Sequence, residues 1–511
     1  MIGRTAFHWG CVVFAFGGFL PAVAAESPVP NVLWIIAEDF SADLGCYGVA
    51  EARTPNIDAL AAKGVRFTKA FTMAPVCSAS RSAFMTGMYQ TTIGAHNHRS
   101  HRDDGYRLPE GVRVLPHWVR DAGYHTANIV HLTDDRSERF YRGTGKTDWN
   151  FNIEGKAFDS DRWSDLKSSQ PFYAQINFSE THRGAAWNAA DQHIDQPADP
   201  AKVEVPPYYP DHPLVREDWA QYLNAAMALD KKVGFVLKRL EHDGLADNTI
   251  VLFFGDHGQA MPRGKQWCYD SGLRIPLIVH VPPNLKLPES KQIGAAGSTD
   301  DRLVEAIDFA ATTLGLMNVT IPKSMQGRDL FSREEQERWR DAAFGARDRC
   351  DETVFHIRTV RTSRYRYIRN FDHKKPFLLF NRYKETSYPT IPLMRSLAAQ
   401  GKLDEVQARL TSPEPRPEEE LYDLDADPHE IHNLAASPEH ATVLEDLRSR
   451  LDRWMEETND QGRTPEAVTF VRKWEANAEG SSGAKMQKVM AQYPGAYPLD
   501  RRFLTETWLE N

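Results

Sequence analysis

Asn31-Val32-Leu33-Trp34-Ile35-Ile36-Ala37 is an unbroken apolar run rich in β-branched residues, closed by the acidic pair Glu38-Asp39. A run of that length with no polar alternation fits a strand buried on both faces, as in a parallel sheet. Working outward, 126–130, 171–178, 249–254 and 275–281 read as further strands. Residues 54–64, 78–88, 117–123, 218–243 and 300–316 carry helical periodicity, with Gly64 and Gly244 as stops. Strands alternating with helices predict an α/β core, a mostly parallel central sheet covered by helices on both faces. The texture changes after about Gly327. Residues 353–369 alternate in a way that suits antiparallel strands, with Tyr365 and Tyr367 on one face. A short strand at 420–424 and a strong helix at 441–457 complete a smaller α+β subdomain with an antiparallel sheet. Gly480-Ser481-Ser482-Gly483 reads as a flexible link, and no internal repeat is visible. The division expected is a leader over 1–25, a catalytic domain over 26–340, and a C-terminal subdomain with its tail over 341–511.

The chain of 511 residues is too long for one ordinary core. Hydrophobic residues make up 41% and charged residues 26%, ordinary for a globular protein. A formal net charge of −9 argues against a nucleic-acid binder driven by phosphate neutralisation. It leaves room for a local basic pocket that takes an anionic sugar. Arg4, the apolar stretch 11–20 and the small residues Ala22-Val23-Ala24-Ala25 read as a secretory signal with its cleavage site. The stretch is too short for a comfortable membrane span. A periplasmic or secreted protein without stable membrane insertion is therefore expected. The cysteines beyond the leader are Cys46, Cys77, Cys268 and Cys350, too few for a disulfide framework in so long an exported chain.

The chemistry-bearing residues cluster at predicted strand ends. Glu38-Asp39 follows the first strand, and Gly255-Asp256-His257-Gly258 follows another. In open α/β sheets ligands gather outside the carboxyl ends of strands. Adjacent carboxylates joined there by a third from far along the chain repel one another unless a cation sits among them. Mainly oxygen donors favour Ca²⁺ or Mg²⁺ over Zn²⁺. Each acid pair by itself is equally a strand-end cap or a solvated turn. The run Ala74-Pro75-Val76-Cys77-Ser78-Ala79-Ser80-Arg81 adds the pattern Cys-x-Ala-x-Arg, and Thr86-Gly87 follows it closely.

These motifs together resemble the type I, formylglycine-dependent sulfatase family. The resemblance rests on 31–48, Thr54-Pro55-Asn56-Ile57-Asp58, 77–86, 255–258, 265–276 and 421–434, in order and at sensible spacing. It covers most of the chain beyond the leader and implies an alkaline-phosphatase-like fold. By resemblance, a maturation enzyme would oxidise Cys77 to formylglycine. One hydroxyl of the hydrated aldehyde would attack sulfur to give a covalent sulfo-enzyme, and the other would expel sulfate. Glu38, Asp39, Asp256, His257 and the modified Cys77 would hold one Ca²⁺. Arg81, one helical turn beyond Cys77, would steady the diol. Lys265 would clamp a sulfate oxygen, and His182 would assist the leaving oxygen. Three positions depart from the family. Glu38 stands where many members have Asp, and His257 where Asn is common. The family's Gly-Lys-x-His is absent after the third strand. Either Lys146 in Gly145-Lys146-Thr147-Asp148 or His131 fills the lysine slot, and Lys146 is favoured.

His96, His98 and Arg99 follow the catalytic helix, and Arg347 comes at the subdomain junction. These four are candidate contacts to a sulfated carbohydrate, though a solvated polar loop accounts equally for the first three. The stretches around 94–99 and 344–349 resemble the branch with heparan N-sulfatases and polysaccharide sulfatases, so O-sulfate and N-sulfate both stay open. A phosphatase or phosphodiesterase of the same fold would use Ser or Thr and two zinc ions. A non-catalytic carbohydrate-binding relative would have lost Cys77, Arg81 or the acids.

Overall fold

The computed structural model describes residues 1–3 and 29–497, so the expected leader lies, from Arg4 onward, outside the described residues. Nine strands form one sheet: β1 Asn31–Ala37, β2 Val65–Phe71, β3 His125–His131, β4 Ser160–Arg162, β5 Phe172–Phe178, β6 Thr249–Gly255, β7 Arg274–His280, β8 Thr299–Asp300 and β9 Val304–Glu305. Their order is β4-β3-β5-β1-β6-β7-β2-β8, with β9 also against β2. Only β7 runs against its neighbours, β6 and β2. The run that opens the chain's described core is thus a central strand.

Alternate residues of β1 feed two cores. Leu33, Ile35 and Ala37 pack on the side of the long helix Pro213–His242. Val32, Trp34 and Ile36 pack on the side of helices Cys77–Thr86 and Asp308–Leu316. Trp34 sits edge-on to Phe84, Tyr173 and Phe254, with centroids 5.3–6.1 Å apart. Burial on both faces is what a continuous apolar strand requires.

The second sheet has four strands, β10 Ala343–Arg347, β11 Ile357–Arg361, β12 Tyr365–Asn370 and β13 Glu419–Asp423, antiparallel and in that order. Helix Ala441–Glu457 lays Leu444, Leu447, Leu451, Trp454 and Met455 into the core.

The sequence reading differs from this structure in several places, the short strands β4 and β10 among them. β2 is not among the expected strands, because Arg66, Thr68 and Lys69 interrupt its apolar pattern. Residues 300–316 are helical only from Asp308, since β8 and β9 take up the first part. Three helices, Arg382–Ser387, Thr390–Ala399 and Glu405–Thr411, fill the span between β12 and β13. The expected link at 480–483 lies inside helix Val468–Gln492. A glycine in a helix costs only about 1 kcal/mol, which flanking turns can offset. Among the described residues no helix is long and apolar enough to cross a membrane.

Candidate active site

Register brings the distant acids together. Ala37 pairs with Phe178 of β5 and with Gly255 of β6, so three strands end on one line. The Glu38 N–H donates to the Phe178 carbonyl at 3.0 Å, and the Asp256 N–H to the Ala37 carbonyl at 2.9 Å. Asp39 adopts φ of 50°, a left-handed conformation that Asp tolerates better than most residues. Gly255 and Gly258 let the chain pass close: a Cβ would meet the Phe40 and Ser271 carbonyl oxygens at 2.3 and 2.2 Å.

Cys77 is the first residue of a helix whose ten residues are all buried. Its Sγ lies 3.2 Å from His257 Nε2, 3.4 Å from Lys265 Nζ and 3.6 Å from Asp39 Oδ1. Ligand atoms of Asp39, Cys77, Asp256 and His257 all lie within 4.8 Å of one another. Nδ1 of His257 donates to the Gly258 carbonyl at 2.9 Å, which turns Nε2 inward. Two carboxylates, an inward imidazole nitrogen and the position-77 side chain fit a divalent cation. This mixed oxygen, nitrogen and sulfur set does not by itself choose Ca²⁺.

The charges here are tightly matched. Burial disfavours ionised Asp39, but Lys265, His182 and His257 outweigh it and hold the carboxyl well below the usual range. Lys265 Nζ sits 2.8 and 3.0 Å from the two Asp39 oxygens. Burial opposes a charge on His257 too, yet Asp256 and Asp39 raise it to about 10. Arg81 does share the inner face with Cys77: its Nε and a terminal nitrogen each lie 3.0 Å from Asp256 Oδ2.

Glu38 takes a different partner from Asp39. Its Oε2 receives Lys146 Nζ at 2.7 Å, and it is not one of the four clustered ligands. The metal expectation for Glu38 therefore changes: adjacent residues at a strand end take diverging directions, and Glu38 orients Lys146. Asp148 stands 3.7 Å from Lys146. His131 instead faces Asp161 at 3.8 Å, so Lys146 is the one of the two that reaches this edge. His182 Nε2 lies 4.0 Å from Asp39 Oδ2, with its side chain 26% exposed. Burial lowers its pKa despite Asp39.

The other expected contacts divide. Arg99 belongs near the cluster, since its N–H donates to Ser78 Oγ at 2.8 Å. Nδ1 of His98 lies 3.0 Å from Asp351, and burial lowers its pKa to about 4. His96 is buried near Arg358 and Asp460. Arg347 stacks on Trp267 and Phe355 and donates to Thr353, with Nε and one terminal nitrogen left without a hydrogen-bond partner among the described residues.

Three residues at this edge escaped the sequence reading. Asn177 accepts from Arg81 at 2.6 Å. Its signal was available: Gln175 and Asn177 are the polar pair in an otherwise apolar strand. Tyr383 is half-buried, its buried hydroxyl has no hydrogen-bond partner, and its ring lies 5.7 Å from Lys265 Nζ and 6.4 Å from His182. Lys384 donates to the carbonyls of Lys265 at 2.6 Å and Pro262 at 3.2 Å. Neither Tyr383 nor Lys384 has a local signature, because both arrive from a helix more than a hundred residues beyond Lys265.

Comparison with known proteins gives the following. The sequence pattern of the sulfatase family matches residues 30–319, and that of the N-sulphoglucosamine sulphohydrolase C-terminal region matches 255–413. An ulvan-active sulfatase of Formosa agariphila is 32% identical over 490 residues, covering 87% of this chain and 78% of that protein. The human N-sulphoglucosamine sulphohydrolase is 26% identical over 466 residues, covering 84% and 90%. A solved 2-O GAG sulfatase superposes with a TM-score of 0.60 at 19% identity, covering 86% and 94%.

Proposed function

The chain belongs to the sulfatase family and is a sulfuric ester hydrolase, and from that premise we propose that it removes sulfate from a sulfated carbohydrate, with formylglycine made from Cys77. The observation that carries this reading is the placement of Cys77 at a helix start, within 3.6 Å of Asp39, His257 and Lys265. Once converted, residue 77 supplies a hydrated aldehyde as nucleophile. Asp39, Asp256, His257 and residue 77 would hold a Ca²⁺, which would supply charge neutralisation for the sulfate oxygens.

The chain's own groups do the rest. Free amides at the start of the Cys77 helix favour an anion. Lys265 and Lys146 present two ammonium groups to the sulfate, where fixed charge in a dry site is most effective. Glu38 and Lys384 hold those two lysines in place. Arg81, locked by Asp256 and Asn177, backs the nucleophile. His182, 26% exposed and 4.0 Å from Asp39, is placed to assist the departing sugar oxygen. The N-sulphoglucosamine sulphohydrolase match over 255–413 favours, as a second reading, a sulfamate as the bond broken. Residues 26–340 would be the catalytic domain and 341–511 its C-terminal partner. Export through the leader to periplasm or medium, after modification by a formylglycine-generating enzyme, completes the proposal.

The test is sulfate release from a panel of O-sulfated and N-sulfated oligosaccharides by protein co-expressed with a maturation enzyme. Peptide mass spectrometry should show residue 77 lighter by about 18 Da, the covalent change of Cys to formylglycine. Dialysis against a chelator should stop turnover, and adding back Ca²⁺, compared with Mg²⁺, should restore it. Full turnover by an unconverted Cys77 protein would overturn the mechanism.

A further inference from the structure

Resting on the sulfatase reading, we propose that the cavity between loop 99–104 and helix Val468–Gln492 is a second-sugar subsite. It would bind a saccharide unit that carries its own negative charge, beside the unit that loses sulfate. The cavity measures about 310 Å³; its basic and aromatic wall is Arg99, Arg102, Arg349, Phe470, Lys473 and Trp474, and Asp103 and Asp104 line it as well. That size is at the lower end for small-ligand pockets and suits one ring.

Continuity with the reaction centre comes first. The Arg99 N–H is tied to Ser78 Oγ at 2.8 Å, next to Cys77. Its side chain, 42% exposed, reaches the largely buried Asp148 at 3.7 Å. A chain seated with one sulfate at residue 77 therefore extends past Arg99 into this cavity.

Charge comes second. Arg99, Arg102 and Lys146 all converge on Asp148, at 3.7, 2.5 and 3.7 Å. Lys146 is also matched by Glu38, so the guanidinium groups of Arg99 and Arg102 share the Asp148 carboxylate, while Arg349 is paired with Glu466 and Asp104 with His101. Lys473 adds another exposed cation whose partner is Asp103, itself 75% exposed. Exposed pairs of this kind contribute little to stability and exchange readily for a ligand anion. Arginine's planar fork suits carboxylate and sulfate alike.

The aromatic wall is the third observation. Phe470 and Trp474 are four residues apart on one helix, hence on one face. Phe470 is 40% exposed, one of few large apolar side chains in that state among the described residues. Trp474 stacks on His98 at 6.1 Å and carries the Arg349 guanidinium 5.5 Å from its ring. A rigid aromatic surface opposite cations fits the C–H face of a pyranose whose substituents are anionic. The C-terminal helix thus selects oligosaccharides over isolated sulfated sugars.

The experiment measures binding by calorimetry with the full chain carrying Cys77→Ala, which bypasses turnover. The probes are tetrasaccharides from ulvan, heparin and chondroitin sulfate, each native and carboxyl-reduced. At least one native probe should bind, and adding Lys473→Glu or Phe470→Ala should weaken it about tenfold, with melting temperatures unchanged at these exposed positions. Carboxyl reduction identifies the anion: weakened binding assigns a carboxylate, and retained binding a second sulfate. No binding by any probe, or binding unaltered by both substitutions, would overturn the subsite. In the converted enzyme, the loss of kcat/KM should be about tenfold greater on the tetrasaccharide than on an aryl sulfate, and equal losses would also overturn it. A tetrasaccharide that binds in this way but is never desulfated leaves the subsite standing and removes the sulfatase reading instead.

Discussion

The carboxyl edge of the parallel sheet and the interior of the antiparallel sheet both bury many charges, and they treat them in opposite ways. Around Cys77, Asp39 faces Lys265, His182 and His257, and its carboxyl is pulled well below the usual range against the cost of burial. In the C-terminal part, Arg358 must serve both Asp460, at 2.6 Å, and Asp348, at 3.1 Å. Burial there wins over the shared guanidinium, and Asp348 is pushed up to about 7. Glu430 is likewise pushed up to about 7 by burial, despite Arg366 at 2.7 Å. The number of cations per acid decides the outcome. One arginine between two acids makes a closed structural staple. Several cations converging on one acid keep it ionised and ready for a ligand.

Removing the nucleophile tests the first region most severely. Cys77→Ala should cut sulfate release roughly 10⁵-fold, as for loss of a nucleophile in other hydrolases, while the melting temperature holds. Breaking the staple should do the reverse. Arg358→Leu leaves Asp460 and Asp348 buried without their cation and should cost about 4 kcal/mol of stability, read by urea denaturation. The comparison predicts little loss of kcat in the fraction that remains folded. Lys146→Met sharpens the contrast within the catalytic edge. It should lower kcat/KM about 100-fold, the scale of one lost electrostatic contact to a transition state, in a steady-state assay on the best oligosaccharide.

The smallest expected effect concerns pH. His96 is held to about 4 by burial, with Arg358 adding to it. A depressed imidazole contributes stability that is present above pH 6.5 and lost as pH falls through about 4. Asp348 runs the other way, its stability being lost as pH rises from the ordinary carboxylate range through about 7. His96→Gln should therefore flatten the fall in melting temperature between pH 6.5 and 4 without changing the catalytic pH profile. An altered profile would place His96 at the reaction centre after all.

Much of this was legible from the chain. The 31–37 run determined a buried central strand because nothing polar interrupts it. The acids after two such strands determined a charged edge, because strand ends are where an open sheet exposes its backbone. Cys-x-Ala-x-Arg determined that Cys77 and Arg81 share a helix face, through the 3.6-residue repeat alone. Other features depended on distance in space. Glu38 and Asp39 are neighbours in sequence, yet only the left-handed turn at Asp39 and the register with β6 sent one to Lys146 and the other to Cys77. Lys146 rather than His131 reaches Glu38, because its loop folds back over the sheet edge. Tyr383, Lys384 and the wall of Phe470 and Trp474 come from helices far along the chain, whose local patterns carry no trace of where they dock. Sequence periodicity records which face of an element is apolar. Which elements meet, and so which charges share a partner, follows from packing of the whole chain.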